Sequence, residues 1–306
     1  MNRLQWRGEQ IAGATVAIGI FDGVHRGHQS ILSRAKELSG GAGLIVLTFD
    51  PHPMQVFDPE HAPSMLVSLE RRVELLKQHG ADAVVVCDFD REFAAKSPEE
   101  FVTDVLVKQL QISGAVVGEN FTYGHKAAGK VADLIASGKT HGFFGEEVGL
   151  EKIAGTPVSS TRIREAVAKG DVETAAMLLT RPHRLEGVVV HGEKRGREIG
   201  YPTANLGYST AFNSVPTDGV YAGWLEIENI RWPSAISIGT NPTFAGERST
   251  QVEAYALDQK DLDLYDRSAK IDFGWRLRDT VKFDGLEPLL DQMKKDCDQA
   301  RKLTQM

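Results

Sequence analysis

The chain has 306 residues, of which 42% are hydrophobic and 25% are charged, and it is long enough for two domains of ordinary size. This composition is typical of globular proteins and excludes disordered and fibrous classes. A formal net charge of −7 argues against a broad nucleic-acid or anionic-membrane surface. Cys87 and Cys297 give neither a disulfide framework nor a metal-ligand pattern, and no apolar run has the length of a signal-peptide core or a membrane span. We therefore expect a cytoplasmic protein with no nucleic-acid or membrane partner.

The first part of the chain alternates short apolar runs with helical patterns, which predicts an α/β domain over residues 1–182. Its apolar strands suit a Rossmann-like parallel sheet that is covered on both faces. Ligands of such sheets gather at the carboxyl ends of the strands. The expected strands are 15–20, 44–49, 83–88 and 114–118, and the expected helices are 29–38, 69–79, 98–110 and 160–179.

The segment after the first predicted strand places His25 and His28 around Gly27, at the turn into the first predicted helix. Unpaired backbone N–H groups and the positive end of the helix dipole favour an anion there, and Gly27 allows close approach. Two structural histidines are the ordinary explanation for either residue alone, and zinc binding lacks a third ligand at metal spacing. The spacing favours a phosphate site, and the other residues expected in this phosphate turn are Gly19, Phe21, Asp22 and Gly23.

A second signature, at 159–164, places hydroxyls before an arginine. The hydroxyls cap the helix that follows, and the Arg164 guanidinium suits phosphate oxygens. A capped amphipathic helix explains the same residues, and both interpretations are compatible. Attack on the α-phosphorus of a nucleoside triphosphate needs alignment and charge neutralisation rather than a protein nucleophile. We therefore expect adenylyl transfer, in which His25 and His28 steady the triphosphate and Arg164 offsets the charge of pyrophosphate. The hydroxyl residues of the signature are Ser159, Ser160 and Thr161.

Beyond residue 182 the pattern changes to alternating strands separated by Gly, Pro and Asn clusters. This predicts a second domain over residues 183–306, an antiparallel sheet or small β-barrel that ends in a helix. The expected elements are strands at 185–190, 219–227, 234–238 and 250–257 and a helix at 286–303.

The second domain contains a glycine-rich, basic loop followed by a hydroxyl and an amide. Thr203 and Asn205 face the same way on an extended segment, and their oxygens suit Mg²⁺ that carries ATP phosphates. A turn rich in Pro and Asn explains the same composition. Glu253 lies on an alternating strand, where it could accept the proton of a hydroxyl that attacks a γ-phosphate. An edge-strand glutamate in solvent is the commoner explanation. The residues expected to bind ATP in this domain are Gly196, Arg197, Gly200 and Pro202.

Taken together, these stretches resemble the bifunctional riboflavin kinase/FMN adenylyltransferase family, the prokaryotic FAD synthetases. The motifs of the first half are Gly-x-Phe-Asp-Gly-Val-His-x-Gly-His, Thr-Phe-Asp-Pro-His-Pro, Gly-Glu-Asn-Phe-Thr-Tyr-Gly and Ser-Ser-Thr-x-Ile-Arg. Those of the second half include Gly-Arg-x-Ile-Gly-Tyr-Pro-Thr-Ala-Asn and Ile-Gly-Thr-Asn-Pro-Thr-Phe. The ordered succession covers nearly the whole chain, and it implies a nucleotidyltransferase domain followed by a riboflavin-kinase barrel with a C-terminal helix.

The resemblance also implies substrates and further site residues. Riboflavin would be phosphorylated by ATP to FMN, and a second ATP would adenylylate FMN to FAD and pyrophosphate, with Mg²⁺ as the metal. Two alternatives stay open, a riboflavin kinase with weak or lost adenylyltransferase activity and a non-enzymatic flavin-binding regulatory protein. A monomer and a weak homo-oligomer are both compatible with the sequence. The positions implied for flavin binding are Phe49, Asp50, Pro51, Pro53 and Asn120.

Overall fold

A computed structural model describes residues 4–192, 199–208, 213–242, 248–259 and 262–305. Contacts divide the chain into two compact units. The first unit comprises Met1–Pro63 and Leu69–Ser159, and the second comprises Ser64–Ser68 and Ser160–Met306. The domain boundary at 182/183 stays a prediction. No helix among the described residues is both long and apolar enough to cross a membrane.

The first unit is an α/β layer structure. Its strands are β1 (Leu4–Arg7), β2 (Thr15–Ile18), β3 (Leu44–Asp50), β4 (Ala83–Asp88), β5 (Gly114–Gly118), β6 (Thr122–Tyr123), β7 (Gly129–Lys130), β8 (Phe144–Val148), β9 (Lys152–Ile153) and β10 (Thr156–Pro157). Its helices are α1 (Arg26–Leu38), α2 (Pro53–Phe57), α3 (Leu69–Gln78), α4 (Arg91–Ala94), α5 (Pro98–Glu100), which continues as a π-helix over Phe101–Gln109, and α6 (Val131–His141).

The main sheet has the order β1-β4-β3-β2-β5-β8, and all neighbours pair in parallel except the edge strand β1. Runs of branched apolar residues such as Leu44–Leu47 are buried, as strands covered on both faces require. Strand β2 lies between β3 and β5. The carboxyl ends of these three strands therefore meet at one edge of the sheet, where the sequence predicted the ligand segments.

Several boundaries differ from those predicted. Helix α1 begins at Arg26 rather than at residue 29, so that His28 lies inside its first turn. The segment after residue 142, which has no clear sequence pattern, contributes the parallel edge strand β8. The single helix predicted at 160–179 is two helices, because Gly170 adopts φ +74° and Asp171 caps the second helix by accepting a hydrogen bond from the Thr174 N–H at 3.0 Å.

The second unit is built around a closed antiparallel barrel. Its elements are α7 (Ser160–Ala168), α8 (Val172–Leu179), β11 (His183–Val190), β12 (Ala204–Gly207), β13 (Gly219–Ile227), β14 (Ile230–Pro242), β15 (Arg248–Ala256), β16 (Ser268–Arg278) and α9 (Leu286–Thr304). The strand order is β11-β12-β15-β14-β13-β16. Alternate residues such as Val252 and Ala254 fill the barrel, and α9 covers part of its outer face through Cys297 and Ala300. The predicted fold class is confirmed in both halves.

Candidate active sites

The phosphate turn has a strained backbone. Phe21, Gly23 and Val24 have φ values of +54°, +80° and +41°, and a β-branched residue such as Val24 rarely adopts this conformation. Each such non-glycine residue costs about 1–3 kcal/mol and persists only where its surroundings hold it. Phe21 and Val24 are buried, and the Gln29 amide donates to the Val24 carbonyl at 2.9 Å. The fold thus maintains a strained turn at the point where the three strand ends meet.

The two histidines of this turn form one stacked pair. His25 caps helix α1, because its Nδ1 accepts the His28 backbone N–H at 3.3 Å. An Nδ1 that accepts a hydrogen bond places the ring proton of neutral His25 on Nε2. The His25 and His28 rings stack with centroids 3.6 Å apart, and the Phe21 ring meets His28 edge to face at 5.1 Å. The backbone hydrogen bond and the ring contacts therefore hold both imidazoles at the start of the helix.

Burial, with a smaller contribution from His25, lowers the pKa of His28 well below its ordinary value. His28 is therefore neutral near neutral pH in the free protein. Its Nδ1 is buried and has no hydrogen-bond partner among the described residues. A buried polar atom without a partner is uncommon, and an anionic oxygen held at the helix start would satisfy it.

Gly27 leaves space for the His25 ring as well as for a ligand. A Cβ added at this residue would lie 3.3 Å from His25 Cε1 and 3.7 Å from the Val158 carbonyl oxygen. The close approach brings the start of the second signature, Val158 and Ser159, beside the phosphate turn within the first unit. The rest of that signature, from Ser160 onward, forms helix α7 of the second unit.

Arg72 is a residue that the sequence analysis missed. It is 1% exposed on α3, and its guanidinium donates to the Ile20 carbonyl at 3.0 Å and to Asp50 Oδ1 at 3.2 Å. Burial lowers the pKa of Arg72, and the carboxylates of Asp50 and Asp22 oppose that shift. Arg72 thus joins the start of the phosphate turn to the end of β3. Its position one turn from buried Leu75 and Leu76 was the available signal, because an arginine on an apolar helix face needs a partner inside the fold.

The predicted flavin residues lie at the same sheet edge with different surroundings. Phe49 is 8% exposed, and its ring packs on Phe89 and Phe93 at centroid distances of 5.9 and 6.0 Å. Pro53 begins helix α2, whereas Asn120 is exposed beside the end of β5. Phe49 therefore belongs mainly to the core, and Asn120 is accessible to a ligand.

The barrel carries the second candidate site on its outer face. Asn205 and Glu253 are directly opposite each other in the β12–β15 ladder, and the Thr203 hydroxyl donates to Glu253 Oε2 at 3.1 Å. Ala204 and Ala254 alternate with them and point into the barrel. The ladder brings Asn205 to Glu253, and the hydrogen bond from Thr203 completes the group of three side chains that were predicted from separate motifs.

The oxygens of this cluster suit a magnesium–phosphate complex. Hydroxyl, amide and carboxylate oxygens are ligands that Mg²⁺ accepts, and Mg²⁺ takes the rest of its shell from water and phosphate. A Cβ at Gly192 would lie 2.4 Å from Asn205 Nδ2, so only glycine allows this approach to the amide. Within the described ranges, no group of three or more His, Cys, Asp or Glu side chains could hold a metal by itself. Gly200 (φ +87°) and Pro202 lead into this cluster, while Gly196 and Arg197 lie outside the described residues.

Comparisons with known proteins agree with the family predicted for each half of the chain. The FAD synthetase family model matches residues 8–162, and the riboflavin kinase family model matches residues 179–304. The bifunctional riboflavin kinase/FMN adenylyltransferase of Pseudomonas fluorescens is 37% identical over 95% of this chain and 93% of its own length. That of Escherichia coli K12 is 35% identical over 93% of this chain and 90% of its own length. The crystal structure of a macrolide-efflux protein from Streptococcus pneumoniae has 31% identity and a TM-score of 0.87, over 96% of each chain.

The fold and the two family models define an enzyme that joins an FAD synthetase domain to a riboflavin kinase domain. The chain belongs to the bifunctional riboflavin kinase/FMN adenylyltransferase family. The predicted family and the predicted pair of activities are confirmed at this level. The roles of the individual site residues stay predictions.

Proposed function

We propose that the barrel phosphorylates riboflavin. The 5′-hydroxyl oxygen of riboflavin attacks the γ-phosphorus of ATP, the bond from that phosphorus to ADP breaks, and Glu253 accepts the hydroxyl proton. Thr203 and Asn205 would hold Mg²⁺, which neutralises phosphate charge when it is bound. The observation that carries this proposal is the cluster itself, in which Thr203 bonds Glu253 at 3.1 Å and Asn205 is the direct ladder partner of Glu253.

The first domain predicted from the sequence, residues 1–182, would then adenylylate FMN. A phosphate oxygen of FMN attacks the α-phosphorus of a second ATP, FAD forms, and pyrophosphate leaves. His25 and His28 would bind the triphosphate at the start of α1, and Arg164 would offset the charge of pyrophosphate. The buried, unpartnered Nδ1 of His28 in a strained turn is the observation that supports a ligand there. The exposed Asn120 would contact the flavin end.

A His28→Ala variant tests the adenylyl-transfer site. We expect it to abolish FAD formation from FMN and ATP, while riboflavin phosphorylation by the same preparation continues at the native rate. The second activity of the chain is the control for folding and concentration. If the His28→Ala protein forms FAD at the native rate, the His28 imidazole takes no part in adenylyl transfer.

Glu253→Gln tests the kinase site with an amide of the same size. Loss of a general base costs about 10²–10⁴-fold in rate, so FMN formation should fall by at least that lower value. Supplied FMN should still become FAD. Glu228→Gln is the matched control, since Glu228 is exposed on the same barrel and bonds Arg267. A loss of less than about tenfold in Glu253→Gln would contradict the proposed base.

Two time courses distinguish the alternatives, one with riboflavin, ATP and Mg²⁺ and one with FMN, ATP and Mg²⁺, each followed by separation of the flavins. If no FAD appears where riboflavin becomes FMN, the chain is a kinase alone. If flavin binds and neither product forms, the chain is a binding protein. The cytoplasmic location rests on the cysteine pattern and stays a prediction.

A further inference from the structure

A short piece of the N-terminal half belongs to the second unit. Residues 64–68 lie between α2 and α3 in sequence, yet their contacts place them with residues 160–306. Polar contacts hold both ends of this segment. The Ser68 hydroxyl donates to Glu186 Oε2 at 2.9 Å, and the Ser64 carbonyl accepts a hydrogen bond from Arg164 Nε at 2.7 Å. The segment therefore contacts an arginine that the proposed function uses.

Ser214 fixes the residue that accepts the Arg164 hydrogen bond. The Ser214 and Ser64 hydroxyls are 2.9 Å apart, and Ser214 Oγ also lies 3.4 Å from the Ser64 carbonyl oxygen. Ser214 is 6% exposed, and its own backbone is held on both sides. Its N–H donates to the Met65 carbonyl at 2.9 Å, and its carbonyl accepts His183 Nε2 at 2.7 Å. Arg164 is thus anchored on a carbonyl whose position a buried serine defines.

We propose that Ser64 and Ser214 are positioning residues for Arg164 in adenylyl transfer. The proposal rests on the proposed function, in which Arg164 offsets the charge of pyrophosphate. A guanidinium recognises phosphate through a planar fork, so its orientation decides how many hydrogen bonds it can form. An anchored Nε sets that plane before the nucleotide binds, which is the preorganisation that charge stabilisation requires.

The proposed positioning role links Ser214 and Arg164, which belong to different halves of the sequence. Ser214 lies within the residues matched by the riboflavin kinase family model, 179–304, whereas Arg164 belongs to the signature proposed for adenylyl transfer. A substitution in the kinase part of the sequence should therefore impair FAD formation without impairing FMN formation. A segment with a purely structural role would show no such selectivity, and its two ends would be equally sensitive.

Ser214→Ala in the full chain removes the hydroxyl and keeps both backbone contacts. We expect kcat for FAD formation from FMN to fall about fivefold, which is the typical effect of one lost hydrogen bond, with KM for FMN unchanged. Riboflavin phosphorylation should keep its native rate. Ser68→Ala is the matched control, because it removes a hydrogen bond of the same length from the other end of the segment. Equal losses in the two variants would overturn the proposal.

A double-mutant cycle separates this inference from the proposed function. Arg164→Lys keeps the positive charge and lacks the Nε donor, so adding Ser214→Ala to it should change kcat no further. If Arg164→Lys lowers FAD formation and Ser214→Ala adds its full effect, Ser214 does not act through Arg164 and the inference is wrong. If Arg164→Lys and Arg164→Ala both form FAD at the native rate, the proposed role of Arg164 itself is wrong.

Discussion

We predict that acid destabilises the barrel unit, because His183 is buried there in its neutral form. It is 1% exposed on β11, and its ring faces Phe273 at a centroid distance of 6.3 Å. Burial lowers the pKa of His183 to about 4, with the charge of Arg181 adding to the shift, while the Ser214 carbonyl and Asp272 oppose it. The folded protein therefore keeps this ring neutral in a pH range where the unfolded chain protonates it.

The sign and size follow from that difference. The pKa of His183 in the unfolded chain is about 6.5, so the unfolded state binds the extra proton between about pH 6.5 and pH 4. The free energy of unfolding falls as the pH is lowered through this window. A shift of about 2.5 pKa units corresponds to about 3 kcal/mol, of which about 2 kcal/mol is lost between about pH 7 and pH 4.5.

Urea unfolding of the full chain and of a His183→Gln variant measures this effect. Gln can donate to the Ser214 carbonyl and does not titrate, so the variant should lose about 2 kcal/mol less than the native chain over that pH range. Tryptophan fluorescence reports mainly on the second unit, since its described residues include Trp224, Trp232 and Trp275. His61→Gln, at a histidine whose side chain is 77% exposed, is the control for replacing a histidine at the surface. If His183→Gln and the native protein lose equal stability, the burial argument fails.

Three further substitutions test the contacts around the sites. Arg72→Met should lower FAD formation at least tenfold and leave FMN formation unchanged, because it removes the hydrogen bonds to Ile20 and Asp50. Arg72→Lys should recover part of the loss. A native rate of FAD formation in Arg72→Met would refute the proposed link. Gly27→Ala places a Cβ 3.3 Å from His25 Cε1 and should raise KM for ATP in FAD formation several-fold, and an unchanged KM would show that the ring can move aside. Asp296→Asn breaks the buried pair with Arg278 and should cost about 3 kcal/mol in urea unfolding, whereas a loss under about 1 kcal/mol would mean that the pair is well solvated.

The sequence predicted strands well where burial alone decides them. Runs of branched apolar residues placed β4 and β5 at their observed bounds. The edge strand β8 contains two glutamates and owes its conformation to pairing with β5, which no local pattern shows. Strand β16 does alternate, with Ala269, Ile271 and Phe273 buried, so its signal was present in the sequence and was missed.

The candidate sites, like the strands, were predicted only in part from the sequence. Spacing and residue type predicted that His25 and His28 lie together at a strand-to-helix turn, and the structure places both rings at the start of α1. Spacing did not reveal that the rings stack, that His25 caps α1, or that Arg72 lies beneath the turn. The stacking and the cap depend on side-chain conformation, and the Arg72 contact joins segments that are far apart in sequence. In the sequence, only the position of Arg72 on an apolar helix face indicated one of these features.

The two sites also derive their precision from different sources. In the barrel, Asn205 meets Glu253 because the strands pair in that register, and Ala204 and Leu206, whose side chains are buried, hold the register. A slip of one residue would turn those apolar side chains outward and lose the core, so the core that stabilises the barrel also fixes the geometry of the proposed kinase site. The phosphate turn has no ladder, and its strained residues are held by the burial of Phe21 and Val24. Core substitutions in the barrel should therefore impair kinase activity together with stability, whereas substitutions around the turn can impair adenylyl transfer in a chain that remains fully folded.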